Sequence, residues 1–360
     1  MNFFIVILIL AVCWTCVPAQ KNGGTLQDGS KQNKSRRQKS PFPRAVILTT
    51  DIGAEMDDQW TLAQLAVAPE FDLRAIVTTH APSLQNPAAE TAARVAREVL
   101  DHLPLKKHPP VFAGSSVPLA ERSAPQPNRA VEFIIEQSKS FSSGRRLAVL
   151  MTGAATDVAS ALLIDPTLAD RIEIVAMGFE NWEAGGDSWN VKNDVRAWQI
   201  VLESRAVLTV GDARVTRRDL AVTRAEARKL LGTRGIAGRY LADLHGAWLD
   251  RDPPFVEKVT GSRDKWIIWD SVTLAYLLGL TKNKTYPRPI LRDDLSFEHS
   301  SSAKKSATLN WVTAINAKKL WRHFTTNLDR INAPVNFNLF HSSDNDGHKN
   351  RSIRADAKNF

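Results

Sequence analysis

The sequence predicts an α/β fold, a mostly parallel central sheet with helices on both faces, in one domain spanning about residues 44–335. Three observations predict it. Short, continuously apolar runs recur at Ala45 to Leu48, Leu147 to Met151, Ile172 to Met177 and Val207 to Val210, the pattern of strands buried on both faces. Segments with helical spacing separate them, and strands joined by crossover-length helices run parallel. The 360 residues, 43% hydrophobic and 8% aromatic, can bury one large core, and they read as a single domain with ragged ends.

Ordered structure is expected from Pro43, with Ala45 to Leu48 as the first strand. Asp57 to Ala68 follows, with Trp60, Leu62, Leu65 and Ala66 at helical spacing. Leu73 to Thr78 reads as a strand, and Pro87 to Leu103 as an Ala- and Arg-rich helix whose proline suits a first turn. Pro110 to Ala113 is a short strand, Val131 to Phe141 a helix, and Leu147 to Met151 a buried strand. Asp157 to Ile164 is helical, Ile172 to Met177 a strand and Val195 to Glu203 a helix, before Val207 to Val210 closes the alternation. Beyond Thr223 the chain looks mainly helical, through Gly246 and again over Ser271 to Leu280. Leu309 to Ile315 is a late strand and Lys318 to Ile331 a last helix. The domain holds no repeat, heptad run or Gly-rich phosphate loop, which disfavours a nucleotide-phosphate site.

The ends have a different composition. An apolar run from Phe3 to Val12 is too short for a comfortable membrane span and precedes Val17-Pro18-Ala19. Residues 1–19 therefore read as a signal peptide, with an uncleaved anchor as the alternative, although no Lys or Arg precedes the run. Export, periplasmic or secreted, is expected, with no membrane attachment after cleavage. Cys13 and Cys16 both lie in that segment, so a mature chain has no disulfide, zinc-thiolate site or cysteine nucleophile. The formal net charge of +9 is concentrated just after it. Lys21, Lys31, Lys34, Arg36, Arg37, Lys39 and Arg44 face Asp28 alone. Residues 20–43 read as a basic, disordered linker, and 336–360 as a polar tail. A core left near neutrality argues against a nucleic-acid partner. Homo-oligomerisation is left open.

The sharpest feature is Thr49-Thr50-Asp51-Ile52-Gly53-Ala54-Glu55-Met56-Asp57-Asp58. Four carboxylates fall directly after a buried strand and at the mouth of a helix, where open parallel sheets bind ligands. Helix capping explains one or two acids at a helix start, but not Asp51 at a strand end. Clustered carboxylates repel unless a cation neutralises them, and an oxygen-only donor set points to Ca²⁺ or Mg²⁺.

This segment resembles the acidic signature of the inosine-uridine-preferring nucleoside hydrolases, and three further stretches agree in order. Leu150-Met151-Thr152-Gly153-Ala154-Ala155-Thr156-Asp157 resembles the family's strand-loop-helix with a calcium-binding threonine carbonyl. Gly186-Asp187-Ser188-Trp189-Asn190, with Asp194, resembles its ribose-binding stretch, and Ile268-Trp269-Asp270-Ser271 the start of its last metal-binding helix. The resemblance runs from about Arg44 to Ile331. It implies a Rossmann-related fold and a calcium-dependent hydrolase that cleaves the N-glycosidic bond of ribonucleosides or related ribosides. Asp51, Asp58, Asp270 and the backbone oxygen of Thr156 would bind Ca²⁺. Asp57 would be the general base toward a water beside the ion, and Asn190 would bind a ribose hydroxyl.

Three positions depart from the family pattern. Two extra residues separate Asp51 from Asp57, which puts Glu55 at the usual spacing of the base. The family's Glu-Phe-Asn is Ser188-Trp189-Asn190 here, leaving Asp187, Asn181 or Glu183 to replace the glutamate. Trp189 then either packs or touches ligand. The histidine before the last metal aspartate is Trp269, which cannot transfer a proton but can stack on a base or pack beside Trp266. His80 and His245 are spare candidates for leaving-group contact. The rival reading is a non-catalytic or repurposed member that binds a sugar or nucleoside through Ca²⁺. A metal-dependent phosphohydrolase would want a phosphate-binding residue or loop near the acidic segment, and none is evident there.

Overall fold

In the computed structural model, which describes residues 43–186, 189–299 and 307–333, the first apolar run forms β1 (Arg44–Thr50). Then come α1 (Asp57–Val67), β2 (Phe71–Thr78), α2 (Ala88–Asp101), β3 (Val111–Ala113), α3 (Arg129–Ser138) and β4 (Leu147–Thr152). Next are α4 (Thr156–Ile164), α5 (Leu168–Arg171), β5 (Ile172–Met177), α6 (Trp189–Asn193), α7 (Val195–Glu203) and β6 (Val207–Gly211). α8 (Ala213–Asp219), β7 (Ala221–Thr223), α9 (Arg224–Leu231), α10 (Gly235–Arg251), α11 (Pro253–Thr260), β8 (Lys265–Ile267) and α12 (Ser271–Leu277) follow. The last are β9 (Thr281–Pro287), β10 (Ile290–Leu291), β11 (Phe297–Glu298), β12 (Thr308–Ile315) and α13 (Ala317–Asn332).

Eight strands form the main sheet in the order β3-β2-β1-β4-β5-β6-β12-β9. Every pairing is parallel except β12 with β9. Strand order reverses between β1 and β4, the crevice where open α/β sheets hold ligands. Alternate side chains of β1 and β4 enter opposite layers, as period-2 strands require. Ala45, Ile47, Leu147, Val149 and Met151 join the layer with α3, α4 and α7. Val46, Leu48, Ala148 and Leu150 join the layer with α1, α2, α10 and α13. α1 is buried all round except at Ala66, which explains its weak amphipathic pattern.

The alternation does not close at Val210, as the sequence suggested. β12 joins β6 in parallel, pairing Asn310 with Thr209 and Trp311 with Val210. β9 then adds antiparallel at the edge, Thr308 opposite Pro287 through Ile315 opposite Thr281. Its sequence, Thr-Lys-Asn-Lys-Thr-Tyr-Pro, is mostly exposed, and such lysine-bearing edges resist further pairing. The segment after Thr223 is helical as expected, but an antiparallel ribbon of β7 and β8 interrupts it. That ribbon delivers the chain to the start of α12. The helix expected to reach Leu280 stops at Leu277, and Gly279 takes the left-handed φ of 70° that glycine adopts freely after a helix end. The expected signal peptide, the basic linker up to residue 42 and the 336–360 tail lie outside the described residues.

Candidate active site

β1 ends at Thr50 and releases Asp51 into the crevice, while α1 begins at Asp57 and points its first turn back toward the same place. The N-cap of α1 is Met56, which makes no side-chain capping bond, so neither aspartate caps the helix. Their carboxylates are used elsewhere. Asp58 Oδ1 accepts from the Thr50 hydroxyl and from Thr152 Oγ1 at 3.1 Å. Asp57 Oδ2 accepts the Asp270 backbone N–H at 3.2 Å. Thr61 and Ser271 hydroxyls meet at 3.2 Å and tie α1 to α12, holding Asp270 beside the pair. One carboxylate oxygen from each of Asp57, Asp58 and Asp270 lies within 4.8 Å of the other two. Asp51 is 2% exposed, and its Oδ2 has no hydrogen-bond partner.

Electrostatics follow from burial and crowding. Desolvation, then the neighbouring carboxylates, push Asp51 and Asp57 well above the usual aspartate range. Desolvation and repulsion from Asp57 and Asp58 do the same to Asp270. Burial raises Asp58 to about 6 against hydrogen bonds that oppose it. Half-buried Glu55 rises to about 8 through desolvation and Asp58. An unpartnered buried oxygen beside converging carboxylates fits a hard, oxygen-seeking divalent cation. Close packing at the strand end supports the arrangement: a Cβ on Gly153 would sit 2.6 Å from the Asp51 backbone nitrogen.

The acidic residues line a cleft of about 270 Å³ that also presents Thr152, Glu180, Trp189, Asn190, Arg217, Phe255 and Trp269. Asn190 Nδ2 donates to the Met177 carbonyl at 3.2 Å, fixing its amide at the end of β5. Trp189 is 43% exposed on the lining. Phe179 holds a left-handed φ of 67° while fully buried. That strained geometry for a bulky residue immediately precedes Glu180. Glu180 pairs with Arg217 at 2.9 Å, and the Arg217 guanidinium carbon lies 5.4 Å from the Trp269 ring centroid.

Other expected residues sit elsewhere. Thr156 does not line the cleft; it opens α4, and its hydroxyl donates to Asp194 Oδ2 at 2.7 Å. Thr152, at the end of β4, occupies the lining in its place. His80 Nε2 lies 3.0 Å from the Thr156 hydroxyl, away from the lining, and burial lowers its pKa. Because that hydroxyl donates to Asp194, it accepts from His80, which assigns the imidazole proton to Nε2. Asn181 Oδ1 accepts from Ala184 N at 2.9 Å, a turn role, and Glu183 pairs with Arg214 at 2.8 Å. His245 is fully buried, bonded to the Val222 carbonyl at 3.1 Å and packed on Trp60, and burial lowers its pKa to about 4. Asp187 lies outside the described residues. The sequence reading missed Thr152, Glu180 and Arg217. Thr152 had a usable signal, since it ends β4 as Thr50 ends β1 beside it.

Fold and site together define a doubly covered parallel-sheet protein with an acidic, metal-type centre at the strand-order reversal. The sequence pattern described as inosine-uridine preferring nucleoside hydrolase matches residues 46–322, and the chain belongs to that family. It is thus an N-ribosyl hydrolase of a metal-dependent family acting on the N-glycosidic bond of nucleosides. Solved structures share the fold at low identity. The purine-preferring ribonucleoside hydrolase from Gardnerella vaginalis matches with TM-score 0.66 and 18% identity, over 80% of this chain and 99% of its own. A plant nucleoside hydrolase matches at 0.64 and 16%, again over 80% and 99%. The inosine-uridine preferring enzyme from Bacillus anthracis matches at 0.59 and 18%, with the same coverage. No curated protein sequence matches the chain.

Proposed function

We propose that this protein is a calcium-dependent ribonucleoside hydrolase that releases free base and ribose. The observation that carries the reading is the convergence of Asp57, Asp58 and Asp270 beside the unpartnered Asp51 Oδ2. Asp51, Asp58 and Asp270 would hold the cation, with Thr152 supplying the backbone oxygen that the resemblance assigned to Thr156. When bound, Ca²⁺ neutralises these carboxylates, orients sugar hydroxyls and lowers the pKa of a nearby water. Asp57 accepts the proton as the water attacks the anomeric carbon. The Asp270 N–H keeps its carboxylate oriented and favours its ionised form. Charge developing on the sugar toward an oxocarbenium ion is stabilised by the surrounding carboxylates. Asn190, fixed on Met177, positions a ribose hydroxyl. Trp269 lines the same cleft and is placed to contact the base.

A second assignment of the base has its own observation. Asp57 converges with Asp58 and Asp270, whereas Asp51 carries a fully buried carboxylate oxygen without a hydrogen-bond partner. In that assignment Asp51 takes the proton and Asp57 joins the cation and ribose contacts. Release of base from inosine and uridine by Asp57→Asn, Asp51→Asn and Glu55→Gln separates the choices. A positioned general base contributes about 10²–10⁴-fold, so Asp57→Asn should lose turnover by that order with calcium affinity largely kept. Loss of that pattern at Asp57 and its appearance at Asp51 or Glu55 would move the base there.

A further inference from the structure

We propose that Arg217 reads the leaving base: carried on α8, tethered by Glu180 and lying over Trp269, its guanidinium donates to the O6 and N7 acceptors of a 6-oxopurine. The inference rests on the nucleoside-hydrolase reading and names the base for which this cleft is shaped.

A purine leaving a ribosyl cation carries electron density back onto its ring, where it must be met by a proton or by hydrogen-bond donors. Among the described residues, the cleft lining contains no histidine, lysine, tyrosine or cysteine, and Arg217 is its single cationic residue. An arginine does not give up its proton, but it offers five N–H donors in a fixed plane. Glu180 engages Nη1 at 2.9 Å, and the Nε and Nη2 donors have no partner among the described residues. The ion pair fixes the fork rather than consuming it. Trp269 sets where the base lies. It immediately precedes Asp270, so its ring stands beside the acidic centre that holds the sugar. The guanidinium lies over that ring, 5.4 Å from its centroid, so a base set in the cleft beside the pair turns its edge toward the Nε and Nη2 donors.

The donor pattern then selects the base. Arginine pairs bidentately with the adjacent O6 and N7 acceptors of a 6-oxopurine. Adenine places an N6 amino donor at the position of O6, where a donor-only guanidinium cannot pair with it. Uracil lacks N7 and offers no such fork. An anionic ligand is a poor competitor for Arg217, because Asp51, Glu55, Asp57, Asp58, Asp270 and Glu180 line the same cleft. A neutral ring with two acceptors fits both the arginine and its acidic surroundings.

The experiment compares kcat/KM for inosine and adenosine in saturating Ca²⁺, for wild type, Arg217→Ala and Arg217→Lys, with a thermal melt of each. Wild type should prefer inosine. Both variants should lose that preference by roughly 5–150-fold, the discrimination supplied by a good bidentate contact. Lysine should not rescue, because it keeps the charge but lacks the fork. A merely structural role would lower both rates together and leave their ratio unchanged, which overturns the proposal. A wild type that prefers adenosine overturns it as well, while leaving the hydrolase reading intact. If the wild type releases base from no nucleoside, the hydrolase reading fails. Calorimetric binding of inosine and adenosine to wild type and Arg217→Ala then decides Arg217 separately. A preference for inosine lost in the variant supports its role, and an equal preference, or none in the wild type, overturns it.

Discussion

Four buried aspartates with no basic side chain among them cannot all be ionised in a medium of low dielectric. Asp51, Asp57, Asp58 and Asp270 are each pushed upward from the ordinary aspartate range, Asp58 to about 6, and Glu55 to about 8. The linkage has a definite sign. A carboxyl whose folded pKa exceeds its unfolded value binds more protons in the folded state, so stability falls as pH rises between the two values. Chelated protein should therefore lose stability from about pH 5 toward pH 8 at these positions. Ca²⁺ bound at the cluster would displace the same protons, so its stabilising effect should grow over that range. Urea melts in chelator and in calcium at pH 5.5 and 8 measure both trends. A calcium-induced gain no larger at pH 8 than at pH 5.5 would mean that the cluster does not hold the ion.

Individual elements carry these residues into place. α1 is held by Trp60, which is fully buried, donates Nε1 to the Leu241 carbonyl at 3.1 Å, and packs edge-on to Trp321 and against Phe324. Trp60→Ala should cost about 3–5 kcal/mol in denaturant unfolding and weaken calcium binding, because the same helix presents Asp57 and Asp58. A full-stability variant would show that α1 is anchored elsewhere. The sequence made this element legible because its acids precede an apolar helix and follow an apolar strand. β9 was not legible: an exposed edge strand with Lys282 and Lys284 has neither a buried run nor strict alternation. Arg217 was hidden for another reason. It stands with Arg214 and Arg218 in a short helix, and only the fold brings Glu180 and Trp269 to it. The resemblance pointed to Thr156, and Thr152 stands in the same strand-loop-helix stretch. That Thr152 lines the cleft and Thr156 does not emerges only once β4 ends beside β1.

Across the whole molecule, a covered parallel sheet supplies the rigid frame and the strand-order reversal locates the chemistry. Residues 20–42 have the composition of a chain that buries little, rich in Lys, Ser, Asn, Gln and Gly. Deleting residues 20–42 should leave the melting temperature and calcium binding of the domain unchanged; a measurable drop in either would make the basic segment part of the domain. The most direct test of calcium-dependent hydrolysis is the rate of free-base release from inosine. It would be measured with metal-stripped protein, then after adding Ca²⁺, and again with Asp58→Asn and Asp270→Asn. Release should be absent without the ion, restored by Ca²⁺ in wild type and weak in both variants. Equal release in chelator and in calcium would contradict the account.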